Sequence, residues 1–541
     1  MTLFQSTAIG PLTLRNRIVM PPMATLYGAP DGCVSSKLFE YYSRRARGGV
    51  GLIIVENTAV TPRSANYPNT LEIHHAGYEE GLTRLAAGIK STGAGAAIQL
   101  FHPGRQMHPK YTGNSLVAPS AIPCPVMKAV PSVLSATEIR RLVADFVAGA
   151  VRAKRVGFDA VEIHAAHGYL GAQYAFPVLL RFSADEKLEG GLTLDAARRL
   201  VPLFERAGFS ALHVSAGCYS SMEWIVQPYL QEHACLGDLA RAIRQASALP
   251  VIAVGRIVDL DAAERLLQDG SADLVSMGRA LIADPDLPRK AAEKNASAIR
   301  PCLGCNVCIQ FVGVKQTRCA VNPEMGQETT QAPDPEPGHI VVIGGGPAGL
   351  EAALTAANRG RQVTVLERES TLGGQLKLAA GFASKPHFQR LLDYYLEQVD
   401  RAEIQIHLDT VVNLDLVRSL QPDSLIVEKG SRAGSALEWN LCKMRLASLR
   451  NYGVDIMLRS QLIRCEGSAV MVCNSSGDEQ RIQADVLVLA LGSVPANPLP
   501  QLTGALSCPQ TFIGDCRNPA GLTEALGQGR VAGRMSIGHN A

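Results

Sequence analysis

The 541 residues, at roughly 100–200 per domain, predict about three to five domains, or fewer where one is a large barrel. Lys and Arg (52) against Asp and Glu (49) leave +3 with no long single-sign block, which argues against a dedicated nucleic-acid binder. An apolar content of 47% with 19% charge excludes a disordered chain, and the length suffices for a core without disulfides or metals.

The opening MTLFQSTAIGPLTLRNR has no basic region followed by an apolar core. Runs such as VLVLALG fall far below the ~18 apolar residues that span a bilayer, so a soluble cytoplasmic protein with no membrane contact is expected. Gly, at 50 residues, suits a chain rich in phosphate-binding turns. Nine of the 13 cysteines are scattered (Cys33, Cys124, Cys218, Cys235, Cys442, Cys465, Cys473, Cys508, Cys516) and are expected mostly as small buried hydrophobes.

From about residue 16 to 280 a short apolar run, a turn and a helical stretch recur. Strands are predicted at Arg17–Met20, Gly51–Val55, Ala96–Phe101, Ala160–His164, Val178–Phe182, Ala211–Ser215, Val251–Val254 and Leu274–Met277. Unbroken runs such as GLIIV and PVIAV read as parallel strands buried on both faces. Pieces such as LDAAERLLQDGSA carry helical period and end at Gly. Eight such units predict an α/β fold, a (β/α)₈ TIM barrel with its chemistry at the C-terminal strand ends; an open doubly-wound sheet is the alternative. Only 13 residues separate His164 from Val178, while a parallel crossover needs a dozen or more, usually with a helix. That element is abbreviated or missing.

At the fourth strand end stands Glu162-Ile-His164-Ala-Ala-His167-Gly-Tyr169. Two imidazoles three residues apart can converge on one ligand oxygen, and Tyr169 offers a proton. A metal pair or two core histidines is the competing reading. Further on, Cys302-Leu-Gly-Cys305-Asn-Val-Cys308 is followed after ten residues by Cys319. Three close thiolates and a distant fourth are typical of a [4Fe–4S] site. A zinc site more often shows two separated CxxC pairs. A linker, QETTQAPDPEPGH, precedes Gly344-Gly-Gly346-Pro-Ala-Gly349, which follows the strand IVVI and opens a helix. Such a turn brings backbone N–H groups to a pyrophosphate, and Glu367, ending VTVLE, is placed for a ribose.

These residues, with NRIVMPPM (16–23), QLFHPGRQ (99–106), VGR (254–256) and MGRALIADPDL (277–287), resemble the old yellow enzyme superfamily. The barrel, four-cysteine segment and GxGxxG region together are similar to the 2,4-dienoyl-CoA reductase and trimethylamine dehydrogenase group. The resemblance implies FMN in the barrel, with Pro22, Met23 and Ala24 along the isoalloxazine and Gln99 on its pyrimidine edge. It implies Arg181 by N1 and O2, and Gly255, Arg256, Gly278 and Arg279 around the phosphate. His164 and His167 would bind a substrate carbonyl oxygen, and Tyr169 would protonate the α-carbon after hydride leaves the flavin. FAD would occupy the second region, with Asp515 near its phosphates or ribityl chain.

Two departures from that pattern shape the expectations. The family carries a longer segment after HGY, with a second catalytic loop and a helix. It also carries a complete NAD(P)H domain with its own GxGxxG after the position of PDSLIV; here the chain jumps to EKGSRAGSALEWN. The expected organisation is an FMN barrel (1–297), an iron–sulfur segment and linker (298–337), an FAD-binding Rossmann-like region (338–427 with 484–541), and a truncated second nucleotide domain (428–483). The leading expectation is a flavin and iron–sulfur oxidoreductase that reduces activated C=C bonds (enoate, enone or 2,4-dienoyl-CoA type). NAD(P)H is doubtful as donor, because no second cradle exists. The CxxCxxC spacing keeps open an amine dehydrogenase or demethylase that passes electrons to an electron-transfer protein, and the truncations keep open a degenerate, non-catalytic member.

Overall fold

The computed structural model describes residues 1–62, 64–65, 67–107, 116–167, 177–310, 316–328, 337–382, 385–428, 461–466, 469–473, 479–483, 510–513 and 522–534. Eight parallel strands close into a barrel: β1 Ile18–Met20, β2 Leu52–Ala59, β3 Gly95–Phe101, β4 Ala160–His164, β5 Val178–Ser183, β6 Ala211–Ser215, β7 Val251–Ala253 and β8 Leu274–Ser276. Closure comes from β8 on β1 (Val275 opposite Ile18) and β1 on β2 (Val19 opposite Leu52). The expected strands stand within a residue or so, except that β2 runs on to Ala59 across an irregularity between Val55 and Thr58.

Period-two alternation explains why one end is apolar and the other chemical. Inward at the N-terminal end stand Val19, Leu52, Ala97, Ala160, Leu179, Ala211, Ile252 and Leu274, plugged by Ile9 and Leu14 of an N-terminal hairpin. Two or four residues further along the same strands the inward positions become Gln99, Glu162, His164, Arg181 and His213.

Helices follow β1, β2, β3, β5, β6 and β7: α1 Ser36–Arg47, α2 Glu79–Lys90, α3 Ala136–Arg155, α4 Leu194–Arg206, α5 Gly237–Ala246 and α6 Leu260–Gln268. Side chains at their starts accept otherwise orphaned backbone N–H groups: Ser35 from Leu38, Thr193 from Ala196 and Asp259 from Ala262, while Ser135 and Glu138 form a capping box. After β8 come α7 Gly278–Ala283 and α8 Leu287–Ala292. Between β4 and β5 no helix occurs among the described residues of the connection, 165–167 and Pro177. The two strands nevertheless pair directly, Val161 opposite Val178 through His164 opposite Arg181.

A second parallel sheet follows, in the order β11–β10–β9–β12–β16: β9 His339–Ile343, β10 Gln362–Leu366, β11 Gln405–His407, β12 Ser424–Glu428 and β16 Gln510–Ile513. Helices α9 Pro347–Ala357, α10 His387–Arg401 and α11 Leu522–Arg534 pack with it. α11 lies so close on α9 that a Cβ at Gly529 or Gly533 would collide with the carbonyls of Ala348 and Ala352. Between β12 and β16 the described residues form only a three-stranded antiparallel sheet, β13 Gln461–Glu466, β14 Ala469–Cys473 and β15 Glu479–Gln483. The predicted strand ADVLVLALG lies outside the described residues.

Among the scattered cysteines that are described with their surroundings, Cys124 is buried, but Cys33, Cys218 and Cys235 are only half-buried. The expectation of buried hydrophobes is corrected there, because these three sit in loops at the barrel rim rather than in strands. Among the described residues no helix is long and apolar enough to cross a membrane.

Candidate active site

The C-terminal ends of the barrel strands converge on a cavity of ≈380 Å³. Pro22, Met23, Ala24, Gln99, His164, His167, Arg181, Gly255, Arg256, Gly278 and Arg279 all line it. The expected barrel residues are thus brought together from six strands. Gly278 is needed for close approach, since a Cβ there would stand 2.8 Å from the Met23 sulfur and from Pro21.

Beneath the cavity runs a buried relay. Gln99 Nε2 donates to Glu162 Oε1 at 2.8 Å, His213 Nδ1 lies 2.7 Å from Glu162 Oε2, and Arg181 Nη1 lies 2.8 Å from His213 Nε2. A guanidinium only donates, so His213 Nε2 accepts and Nδ1–H donates to the carboxylate. His213 is therefore neutral, in agreement with its pKa being lowered by burial and Arg181 against the pull of Glu162. The relay fixes Gln99 with its NH₂ turned to Glu162, and holds Arg181 charged at the cavity floor. Sequence reasoning quoted Glu162 without a role and passed over His213; a charged or titratable residue inside the apolar strands AVEIH and ALHVS was the available signal.

His164 and His167 meet edge to face, with ring centroids 5.3 Å apart. His167 takes a left-handed backbone (φ 61°), its N–H donates to Ser183 Oγ, and its Nε2 lies 3.0 Å from Ser215 Oγ. Burial, then the neighbouring Arg181 guanidinium, holds both imidazoles well below their ordinary range. Both are therefore neutral imidazoles, not cations.

At the other end of the cavity Arg256 Nε and Ser276 Oγ are buried with no hydrogen-bond partner among the described residues. Arg256 Nη1 donates to the Gln231 carbonyl, and Arg279 Nη1 donates to the Gln227 carbonyl and to Asn306 Oδ1. Orphaned donors at the ends of strands seven and eight fit an anionic group there. Nearby, Glu56 is fully buried; burial pushes its carboxyl up to about 7, although Thr25 and Tyr42 donate to it.

Cys302, Cys305, Cys308 and Cys319 are not joined in disulfides and are partly buried. Burial and mutual repulsion push the thiols of Cys305 up to about 12 and of Cys319 up to about 11, and raise Cys308 well above its usual value. Among the described residues no three His, Cys, Asp or Glu side chains converge on a single metal ion. The cysteine segment forms the seam of the molecule: Cys308 and Cys319 pack on the barrel core, and Cys302, Cys305 and Cys319 on the second core. Cys308 also lines the barrel cavity, and Thr317 N–H donates to the Thr25 carbonyl. Asn306, absent from the sequence expectations, ties the segment to Arg279.

In the second region Gly344 has φ 102° and Gly346 caps the start of α9. Glu367 Oε2 accepts from the Gly345 N–H at 2.7 Å, so the carboxylate stands over the Gly-rich turn, with Gly349 buried inside α9. Tyr169 and Asp515 lie outside the described residues.

The NADH:flavin oxidoreductase / NADH oxidase family matches residues 2–179 and 174–297, and the pyridine nucleotide-disulphide oxidoreductase family matches 338–531. The NADH oxidase of Thermoanaerobacter brockii is 39% identical over 475 residues, covering 79% of this chain and 73% of that protein. The metal reductase of Desulforamulus reducens is 36% identical over 448 residues, covering 75% and 67%. The chain belongs to the NADH:flavin oxidoreductase / NADH oxidase family. Within it the barrel followed by the second nucleotide region marks the multidomain old yellow enzyme branch. The solved 2-naphthoyl-CoA reductase shares this fold at a TM-score of 0.92 and 21% identity, over all of both chains. The two parts of the family match overlap at 174–179, where the connection enters β5. The protein is a flavin oxidoreductase, with one flavin-type domain at each end of the cysteine segment.

Proposed function

We propose that this oxidoreductase reduces a C=C bond conjugated to a carbonyl, with FMN in the barrel, a [4Fe–4S] cluster on Cys302, Cys305, Cys308 and Cys319, and FAD on the Gly344–Gly349 turn. The observation that carries the reading is the charge of the barrel cavity. Its described lining holds Arg181 and the neutral pair His164 and His167 but no Asp or Glu. Such a site attracts a carbonyl oxygen on which negative charge develops and repels a cationic amine.

FMN bound there supplies hydride chemistry. Pro22, Met23 and Ala24 would flank its ring, Gln99 its polar edge, and Arg256, Arg279 and the Gly255 and Gly278 backbone its phosphate. Arg181, charged and buried, would stabilise negative charge on the pyrimidine end of the ring. His164 and His167 would donate N–H bonds to the substrate oxygen, and Tyr169 would deliver the proton to carbon. Asp515 would face the second flavin. Tyr67, Phe101, Met127 and Tyr219 make the outer wall apolar and partly aromatic, which suits a planar conjugated acyl or enone group.

Anaerobic stopped-flow tests this. Enoates, enones or dienoyl thioesters should reoxidise the dithionite-reduced holoenzyme. If all of them fail while methylated amines bleach the oxidised flavin, the enzyme runs as an amine dehydrogenase and the reading is wrong.

A further inference from the structure

Arg300 stands two residues before Cys302, where the barrel, the cysteine segment and the second region meet. Its backbone N–H donates at 2.8 Å to Oδ2 of Asp284, the residue that follows α7 of the barrel. Its guanidinium crosses to the second region. Nη1 lies 2.8 Å from Glu351 Oε2 on α9, and Nη2 lies 3.4 Å from Oε1. The Tyr395 hydroxyl of α10 donates to the same carboxylate at 2.7 Å. The Arg300 side chain is 14% exposed and that of Glu351 2%, so solvent and salt screen the pair little.

One further contact is not needed for the ion pair. Nη1 also donates to the Val321 carbonyl at 2.7 Å. That oxygen belongs to the peptide unit whose N–H is carried by Asn322. The backbone N–H groups of Val321 and Asn322 face the Cys319 sulfur. A cation on a peptide oxygen polarises the unit and strengthens what its N–H donates. The peptide is held on its far side as well. The Asn322 side chain donates to the Ile282 carbonyl at 2.8 Å, and its Oδ1 accepts from the Glu324 N–H at 3.0 Å. At the other end of the segment the Gly304 N–H donates to Cys302 Sγ at 3.4 Å. Amide donors aimed at cysteine sulfur fit a thiolate-bound cluster, whose reduction potential depends on such bonds.

We propose that Arg300 is a positioning residue of the four-cysteine centre: it polarises the Val321–Asn322 peptide toward Cys319 and so raises the reduction potential there. The proposal rests on the [4Fe–4S] reading above. One electron entering the oxidised centre makes it more negative by one charge, with no proton required. A buried guanidinium behind a donor peptide favours that form. Arg300 does not titrate, so its charge is permanent, and the Glu351 carboxylate sets how much of it reaches Cys319. Because Glu351 and Tyr395 belong to α9 and α10, the potential depends on the second region being docked.

The test counts iron, sulfide and flavin in the holoenzyme, then titrates it anaerobically with dithionite through mediator dyes. The paramagnetic signal of the reduced cluster is read against potential. Arg300→Gln should lower the midpoint by about 59 mV or more, a tenfold loss in the one-electron equilibrium. Glu351→Gln leaves the guanidinium without its counter-charge and should raise the midpoint. Opposite signs are the signature of charge, since damage to packing at one interface would move both variants the same way. Arg300→Lys keeps the charge without the fork and should fall between the parent and the Gln variant. Iron and both flavins should stay at the parent's content. If Arg300→Gln loses its iron, the Lys and Glu351→Gln variants carry the test. Unshifted midpoints in variants that hold iron, or shifts of one sign for Arg300→Gln and Glu351→Gln, overturn the proposal alone. A parent chain without iron overturns the cluster reading and this proposal with it.

Discussion

The barrel and the 428–483 region are each expected from the sequence to be shortened relative to the family pattern, with opposite consequences for a site. The barrel connection between β4 and β5 is 13 residues long, yet His164 still stands opposite Arg181 and both line the cavity. In the later region the chain contains no second GxGxxG, and the described residues form an antiparallel sheet. A barrel site is written on strand register, which hydrogen bonds between neighbouring strands preserve whatever happens to an outer helix. A dinucleotide cradle is the connection itself, a turn feeding a helix N-terminus. Removing a connection spares the first kind of site and erases the second.

The cysteine seam between these regions offers the largest expected effect. Changing any of Cys302, Cys305, Cys308 or Cys319 to Ser should abolish bound iron while FMN stays in the barrel. The FMN half-reaction with an artificial carrier should persist, and electron exchange with the second flavin should fail. Full iron content in the Cys319→Ser protein would place the fourth ligand elsewhere.

The comparison itself breaks if NADH or NADPH at micromolar concentration reduces the bound flavin rapidly and saturably. The expected result is slow, unsaturated reduction by either, since the sequence carries one GxGxxG turn and FAD is proposed to occupy it. Within the barrel, His164→Ala or His167→Ala should slow substrate-dependent flavin reoxidation by about 10²–10³, the usual cost of an oxyanion donor, without loss of FMN. Equal slowing with a substrate lacking the carbonyl would remove the assigned role.

Much of the barrel was legible because buried parallel strands read as unbroken apolar runs and the chemical residues cluster at their ends. The motif residues Pro22, Gln99, His164, Arg181, Arg256 and Arg279 line one cavity although they come from six strands. Glu162, His213 and Asn306 escaped because their roles depend on partners 63, 32 and 27 residues away, which no local spacing shows.

The smallest effect belongs to Glu56, another polar group preformed at the barrel mouth. Its carboxyl rises from 4.5 to about 7, chiefly through burial. The folded protein therefore holds a proton that the unfolded chain releases between these values. Stability from this group is fully present below pH 4.5 and is lost as pH rises through about 7. At 1.36 kcal/mol per unit the swing is at most about 3 kcal/mol. Glu56→Gln imitates the protonated acid and removes the swing. The variant should match the parent near pH 5 and exceed it at pH 8, less whatever is lost in bonds from Thr25 and Tyr42. Carboxylates such as Asp259, lowered to about 2, titrate at more acid pH and are common to both proteins. The difference between the two urea-stability curves from pH 5 to 8 therefore isolates Glu56. Parallel curves would mean that its carboxyl is ionised throughout that range, and that the bonds from Thr25 and Tyr42 outweigh its burial.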